Sequence, residues 1–284
     1  MQILGTVEEL RQWSRAHRCD RANGAGMALV PTMGALHAGH ASLIRAASEA
    51  RPGRVAVSIF VNPTQFGPNE DFARYPRTFS ADCALAEREG ASVIFAPSVE
   101  EMYPAGAATV VDVEALSDRL DGASRPGHFR GVATVVAKLL IAAEPDLAFF
   151  GQKDAAQVAV LRRMVVDLRL DTKIVVCPIV REPDGLALSS RNVYLNAAER
   201  KQALVLSRAI DCVQKLVASG ERRSVTLIEA ARTVFAEQPA VRVDYIELVD
   251  WATLWPVLSA TQGTLFAVAA WVGATRLIDN TVIG

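Results

Sequence analysis

Short apolar runs, rich in β-branched residues, alternate with helix-period stretches through the first two-thirds of the chain. The runs at 28–30, 54–61, 92–95, 147–150 and 173–179 predict strands. Most are continuously apolar, the pattern of a parallel sheet covered on both faces. Residues 41–50, 80–89, 132–143 and 155–168 between them predict helices. In the third, Val132, Val135, Val136, Leu139 and Leu140 keep the i, i+3, i+4, i+7 spacing of a buried helix face. This alternation predicts an α/β fold, a Rossmann-like doubly wound parallel sheet with right-handed crossovers. Ligands of such sheets bind outside the carboxyl ends of the strands, where the strand order reverses.

Beyond about residue 180 the pattern changes. Helical stretches at 197–219 and 224–237 precede strand-like runs at 241–249 and 265–272 with no helix between them. That order predicts a smaller C-terminal α+β domain, with the division placed at 1–180 and 181–284. The segments 106–108 and 122–127 read as loops.

Bulk properties narrow the function classes. At 284 residues the chain is long for a single core, which favours one large and one small domain. A net charge of -1 gives no basic footprint for nucleic acid. The apolar runs are strand-sized, short of the roughly 20 residues a membrane helix needs, and the first residues lack a signal-peptide layout. Cys19, Cys83, Cys177 and Cys212 show no C-x-x-C spacing, which argues against structural zinc and fits a reducing, cytoplasmic setting.

The candidate chemistry begins at Pro31-Thr-Met-Gly-Ala-Leu-His-Ala-Gly-His40, a glycine-punctuated turn between a predicted strand and helix. Helix N-termini present unpaired N–H groups to anions. His37 and His40 add two imidazoles there, able to stabilise charge that grows on a departing phosphate; the alternative is a polar turn in which histidine hydrogen-bonds at the helix start. Gly39 lets backbone approach a nucleotide closely. Asn62 and Gln65 follow another strand, where amides bind hydroxyls or carboxylates without adding charge. The alternative for this pair is a capped turn. The basic segment 124–131 offers Arg125, His128 and Arg130, either an anion site or a solvated loop. Lys153 follows a strand as a compact charge suited to phosphate, and Asp154 serves either the site or a helix cap. Ser189, Ser190 and Arg191 lie in a segment at the domain junction suited to closing over a triphosphate. Neither G-x-G-x-x-G nor G-x-x-x-x-G-K-[ST] occurs, which removes the nicotinamide and P-loop readings.

With those residues laid out, the chain resembles the pantoate–β-alanine ligase (pantothenate synthetase) family of the HIGH-motif nucleotidyltransferases. The resemblance rests on PTMGALHAGH, SIFVNPTQFGPNEDFARYPRT, GASRPGHFRGV, FFGQKDAAQ, DGLALSSRN and LIDN, spread over nearly the whole chain. It implies ATP-dependent condensation of (R)-pantoate with β-alanine through pantoyl-adenylate, giving pantothenate, AMP and pyrophosphate. It also implies Mg²⁺ accompanying ATP, held mostly by phosphate oxygens and water, with Asp82 as an outer helper, and a cytoplasmic homodimer.

By the same resemblance, the ATP site is formed by Met33, Gly34, Ala35, Leu36, His37, Ala38, Gly39, His40, Gly151, Gln152, Lys153, Asp154, Val180, Leu188, Ser189, Ser190 and Arg191. His40 is the proton donor, joined in catalysis by His37, Lys153 and Arg191. Gln65, Gln157 and Asn62 hold pantoate, and Gln65 also meets β-alanine. Many relatives carry Glu where this chain has Ala38, so no carboxylate acts between the histidines here. The competing readings are another HIGH-motif adenylyltransferase, an aminoacyl-tRNA synthetase, and a noncatalytic nucleotide binder on the same fold.

Overall fold

The computed structural model describes residues 1–18, 26–51, 53–68 and 70–284; Cys19 lies outside them. Six strands form one parallel sheet: β1 (Gln2–Leu4), β2 (Ala28–Thr32), β3 (Val55–Ile59), β4 (Val93–Phe95), β5 (Leu147–Gly151) and β6 (Lys173–Cys177). Their order is β1-β4-β3-β2-β5-β6. The winding reverses between β2 and β5, so the chain leaving those two strands opens a crevice at the carboxyl edge. The predicted strands all appear, with shifted ends. β1 and the following helix α1 (Val7–Arg18) are elements that the sequence pattern does not predict. β1 has three residues, too few for a visible period, and its pairing partner β4 is about ninety residues away.

Helices α2 (Ala38–Ala50), α3 (Phe79–Arg88), α4 (Val99–Met102), α5 (Asp121–Ser124), α6 (His128–Ala143) and α7 (Ala155–Asp167) complete this layer structure. The segment that reads as a loop at 122–127 thus overlaps the single turn α5. Helix α6 starts four residues before the predicted Val132, at His128, and buries nearly its whole circumference. It is a core helix, packed on α1 and α7.

The C-terminal part has α8 (Ala197–Ala218) and α9 (Ser224–Ala236) on an antiparallel sheet of β7 (Val241–Asp250), β8 (Thr264–Val272) and β9 (Thr275–Val282). β9 is a further addition; its Arg276, Asp279 and Asn280 break the apolar run that marks β8. Why β8 is apolar throughout follows from period-two geometry. Phe266, Val268, Ala270 and Val272 enter the core under α8 and α9, while Leu265 and Ala267 face the core of the larger layer. The small sheet is therefore wedged between two cores.

Polar contacts fasten it to the crevice. Asn280 Nδ2 donates to the carbonyls of Gln152 and Lys153 at 3.0 and 2.9 Å, and Gln152 Nε2 donates to Asn280 Oδ1. Trp251 Nε1 donates to the Ala155 carbonyl. Arg276, on β9, reaches Asp121 of α5 and Asp244 of β7, each at 2.7 Å or less.

Candidate active site

The turn after β2 is shaped by a side chain from α3. Asp82 is 2% exposed, and its carboxylate accepts from the N–H groups of Ala35 and Leu36 at 2.9 and 2.8 Å and from Thr78 Oγ1. These bonds hold Gly34 and Ala35 at positive φ, +79° and +50°. Asp82 is thus a buried anchor of the turn, its carboxylate already taking three donors from the protein.

The turn delivers His37 to the N-cap of α2. Its Nδ1 accepts from Gly39 N–H at 3.1 Å, and His40 Nδ1 accepts from His37 N–H at 3.3 Å. This is a reciprocal capping box built from two imidazoles. A backbone N–H is an obligatory donor, so each Nδ1 is unprotonated and each ring proton sits on Nε2. The rings lie 4.2 Å apart between centroids. Gly39 is required by this packing, since a Cβ there would lie 2.9 Å from the His37 ring.

Burial lowers the His37 pKa to about 4, aided by Lys153, and the His40 pKa to about 3, aided by His37. Both are neutral hydrogen-bond donors at pH 7. His128 is likewise lowered to about 4, by burial and then by Arg125. All three folded-state values lie below the ordinary 6.5, so the unfolded chain binds more protons between about pH 4 and 6.5, and stability rises with pH across that window. Urea denaturation at pH 5 should therefore show a lower midpoint than at pH 6.8. Lowered carboxylates such as Glu70 titrate beneath their usual 4.5 and stay outside this comparison. Equal midpoints would contradict the assignment.

One cavity at the carboxyl edge collects Met33, His37, Gly39, His40, Gln65, Gly151, Lys153, Asp154, Gln157, Val180, Leu188, Ser189, Ser190 and Arg191. Gly34, Ala35, Leu36, Ala38 and Gln152 do not line it. The first three belong to the Asp82-bound turn, Ala38 is exposed, and Gln152 turns to Asn280. An adjoining arm is walled by Phe60, Val132, Val135, Val136, Leu139 and Phe150, with Asn62, Gln65 and Gln157 as its amides. The face of α6 predicted to be core thus also forms an apolar wall of this arm.

Lys153 lies 3.6 Å from Asp154. Asp154 makes no side-chain cap bond to α7 and lines the cavity. Arg191 is held by Asp71 through two bonds of 3.0–3.1 Å, and Ser189 caps the short helical turn that carries it. Asn62 is 1% exposed, and both polar ends of its amide are occupied by protein groups. It positions its neighbours and offers no free bond to a ligand. The basic segment behaves differently from an open anion site. Arg125 is paired with Glu70, and it joins His128 in donating to the Gln65 carbonyl. Arg130 is exposed and lies outside the cavity. Asp71, Tyr75 and Asn280 are site-shaping residues that sequence reasoning missed; their partners lie 115 or more positions away.

Comparison with known proteins agrees with this arrangement. The family model for pantoate-beta-alanine ligase matches residues 2–282. A pantothenate synthetase of Acidobacterium capsulatum is 61% identical over 284 residues, covering 100% of this chain and 95% of the relative. That of Thermotoga neapolitana is 52% identical with full coverage of both. A crystal structure of the Thermus thermophilus enzyme superposes with a TM-score of 0.93 at 45% identity, covering 100% of this chain and 99% of that one. The Francisella tularensis ligase, solved with beta-gamma ATP and beta-alanine, gives 0.79 at 32% identity, covering 99% and 97%. On the full-length match of sequence and fold, the chain belongs to the pantoate–β-alanine ligase family.

Proposed function

We propose that this chain joins (R)-pantoate to β-alanine at the expense of ATP, in two steps within the crevice. The observation that carries the reading is the union of two unlike halves in one cavity. One half has neutral Nε2–H donors and Lys153, and the other is an apolar arm ended by Gln65 and Gln157.

In the first step a pantoate carboxylate oxygen bonds to the α-phosphorus, the bond to the bridging oxygen breaks, and pyrophosphate leaves. His37 and His40 donate to phosphate oxygens as negative charge moves onto the leaving group, while Lys153 supplies the positive charge. Arg191, Ser189 and Ser190 meet the triphosphate from the far wall, Arg191 exchanging Asp71 for phosphate. In the second step the free amine of β-alanine attacks the acyl carbon, AMP departs and the amine loses a proton. The side-chain amide of Gln157 lines the cavity and makes no hydrogen bond to the protein among the described residues, which leaves it for pantoate. Apolar contacts from α6 suit the methyl-bearing end of that acid.

Magnesium enters as part of the nucleotide substrate, neutralising phosphate charge. Among the described residues no group of three or more His, Cys, Asp or Glu is arranged to hold a metal. Such a site fits an ion carried by phosphate oxygens and water. Asp154 is the carboxylate in the cavity lining.

The same reading takes residues 1–180 as the ATP- and pantoate-binding domain and 181–284 as a small lid domain. It takes the protein as a cytoplasmic homodimer, a state that sedimentation equilibrium measures. No helix among the described residues is long and apolar enough to cross a membrane. The deciding assay supplies MgATP, pantoate and β-alanine and follows AMP. Product should require all three, and absence of AMP in the complete mixture would end the ligase reading.

A further inference from the structure

Gln65 ends the acid-binding arm, and an amide there can either donate or accept. The surroundings remove that freedom. Asn62 Oδ1 takes a bond from Thr64 N–H at 3.3 Å, and Asn62 Nδ2 gives one to the Gly131 carbonyl at 3.1 Å. One partner is an obligatory donor and the other an obligatory acceptor, so the Asn62 amide has a single permitted orientation. Tyr103 Oη and Thr64 Oγ1 reinforce it, each donating to Oδ1 at 2.9 Å. Gly131 can reach this position because it has no side chain, since a Cβ there would lie 2.3 Å from the Thr64 carbonyl oxygen.

The second hydrogen of Asn62 Nδ2 points at Gln65 across 3.1 Å. The atom facing it must accept, so it is Oε1. Gln65 Nε2 then faces the cavity beside Met33 Sδ at 3.0 Å, a thioether that accepts only weakly. From this we propose that Tyr103 and Asn62 form a relay that fixes Gln65 as a donor, so that this position recognises an oxygen acceptor, such as a carboxylate oxygen, on the acid substrate. Tyr103 and Asn62 are positioning residues that act through Gln65. The inference rests on the ligase reading for the identity of the substrate, but the polarity of the amide does not.

The test compares initial rates of AMP formation in the wild type, Gln65→Glu, Asn62→Asp and Tyr103→Phe, varying pantoate and ATP separately. Gln65→Glu keeps the length and the acceptor facing Asn62 and replaces the donor with oxygen. It should lower kcat/KM for pantoate about 100-fold or more, as a site that loses an obligatory bond does, with the ATP KM within about threefold. Asn62→Asp places an oxygen opposite Gln65, turning the glutamine amide around, and should show the same split. Tyr103→Phe removes one of the donors on Asn62 Oδ1 and should cost about three- to tenfold for pantoate alone, the scale of one neutral hydrogen bond.

Gln65→Glu with wild-type pantoate kinetics would overturn the proposal. Losses falling equally on ATP and pantoate in Tyr103→Phe would reduce the relay to general structural support and overturn it too. If Asn62→Asp fails to fold, the other two variants still decide. Side-chain amide NOEs in the substrate-free protein read the polarity without any activity. Gln65 Nε2 protons should contact the Met33 methyl, and contacts to the Asn62 side chain in their place would overturn the assignment. A wild type that makes no AMP refutes the ligase reading, while these NOEs still test the relay.

Discussion

Replacing His40 by alanine should slow AMP formation by about 10²–10³-fold, the usual cost of removing one preorganised donor from a site of developing charge. The KM for ATP should change far less, because the bond matters most when charge has moved toward the leaving group. The structure makes this prediction narrower than the family resemblance does. With its pKa lowered to about 3 by burial, His40 reaches pH 7 as a neutral imidazole, its Nδ1 committed to His37 N–H. In the free enzyme it is therefore a hydrogen-bond donor and not a reservoir of protons.

His40→Gln, which returns an N–H near the same place, should recover part of the rate, whereas His40→Phe should not. The pH profile of kcat/KM for ATP should show no limb near 6.5 from these histidines, since that parameter reports the free enzyme. Near-normal turnover in His40→Ala would leave His40 as a helix cap alone.

Replacing Arg276 by methionine should destabilise the fold by about 3–5 kcal/mol, the range for breaking a buried ion pair from one side. Arg276 is 12% exposed in its side chain and donates to Asp121 at 2.6 Å and to Asp244 at 2.7 Å, themselves 9% and 18% exposed. Ser124 Oγ also donates to Asp244, and the Tyr245 hydroxyl lies 3.4 Å from Asp121. Burial, and then Asp121, raises the Tyr245 pKa well above its ordinary value, so the phenol remains neutral. Without the guanidinium, two carboxylates would be left in a largely desolvated junction with only neutral partners.

Urea denaturation at pH 7 reads this loss directly. A variant with Arg276→Met, Asp121→Asn and Asp244→Asn together should regain much of it, because neutralising a whole buried ionic cluster costs far less than orphaning its charges. An unchanged midpoint in Arg276→Met would show that the junction is held by apolar packing alone.

Both predictions join residues that differ in how readable they are. His37, Gly39 and His40 sit within four positions, and their turn follows an apolar run, so a helix N-terminus with two imidazoles is legible from order alone. The capping box closes over i, i+2 and i, i+3 spacings, which neighbouring sequence controls. Arg276 and Asp121 are 155 positions apart, and Asn280 meets Lys153 across 127. No local periodicity links such pairs. Asp82 shows the same limit from another side. Nothing in the helical stretch around it marks it as an anchor, yet folding buries it under the turn it holds. Asn62 reads either as a ligand, because it follows a strand in a ligand-binding fold, or as the cap of a turn; it is the cap, its amide filled by Thr64, Tyr103, Gln65 and Gly131.

Short-range physics is legible in the order of residues: a parallel sheet from continuous apolar runs, helices from their period, and a phosphate-ready helix start at His37–His40. The sequence also carries, through ordered motifs, the family resemblance and the pairing of Gln65 with Gln157. Which polar groups are free and which are spent is set by the folded arrangement. It committed Asp82, Asn62 and Arg125 to protein partners, left Gln157 open, set the imidazoles neutral and turned Gln65 outward as a donor. The reason is that hydrogen-bonding capacity and desolvation depend on every neighbour in space. Those neighbours come from strands and helices that the chain order keeps far apart.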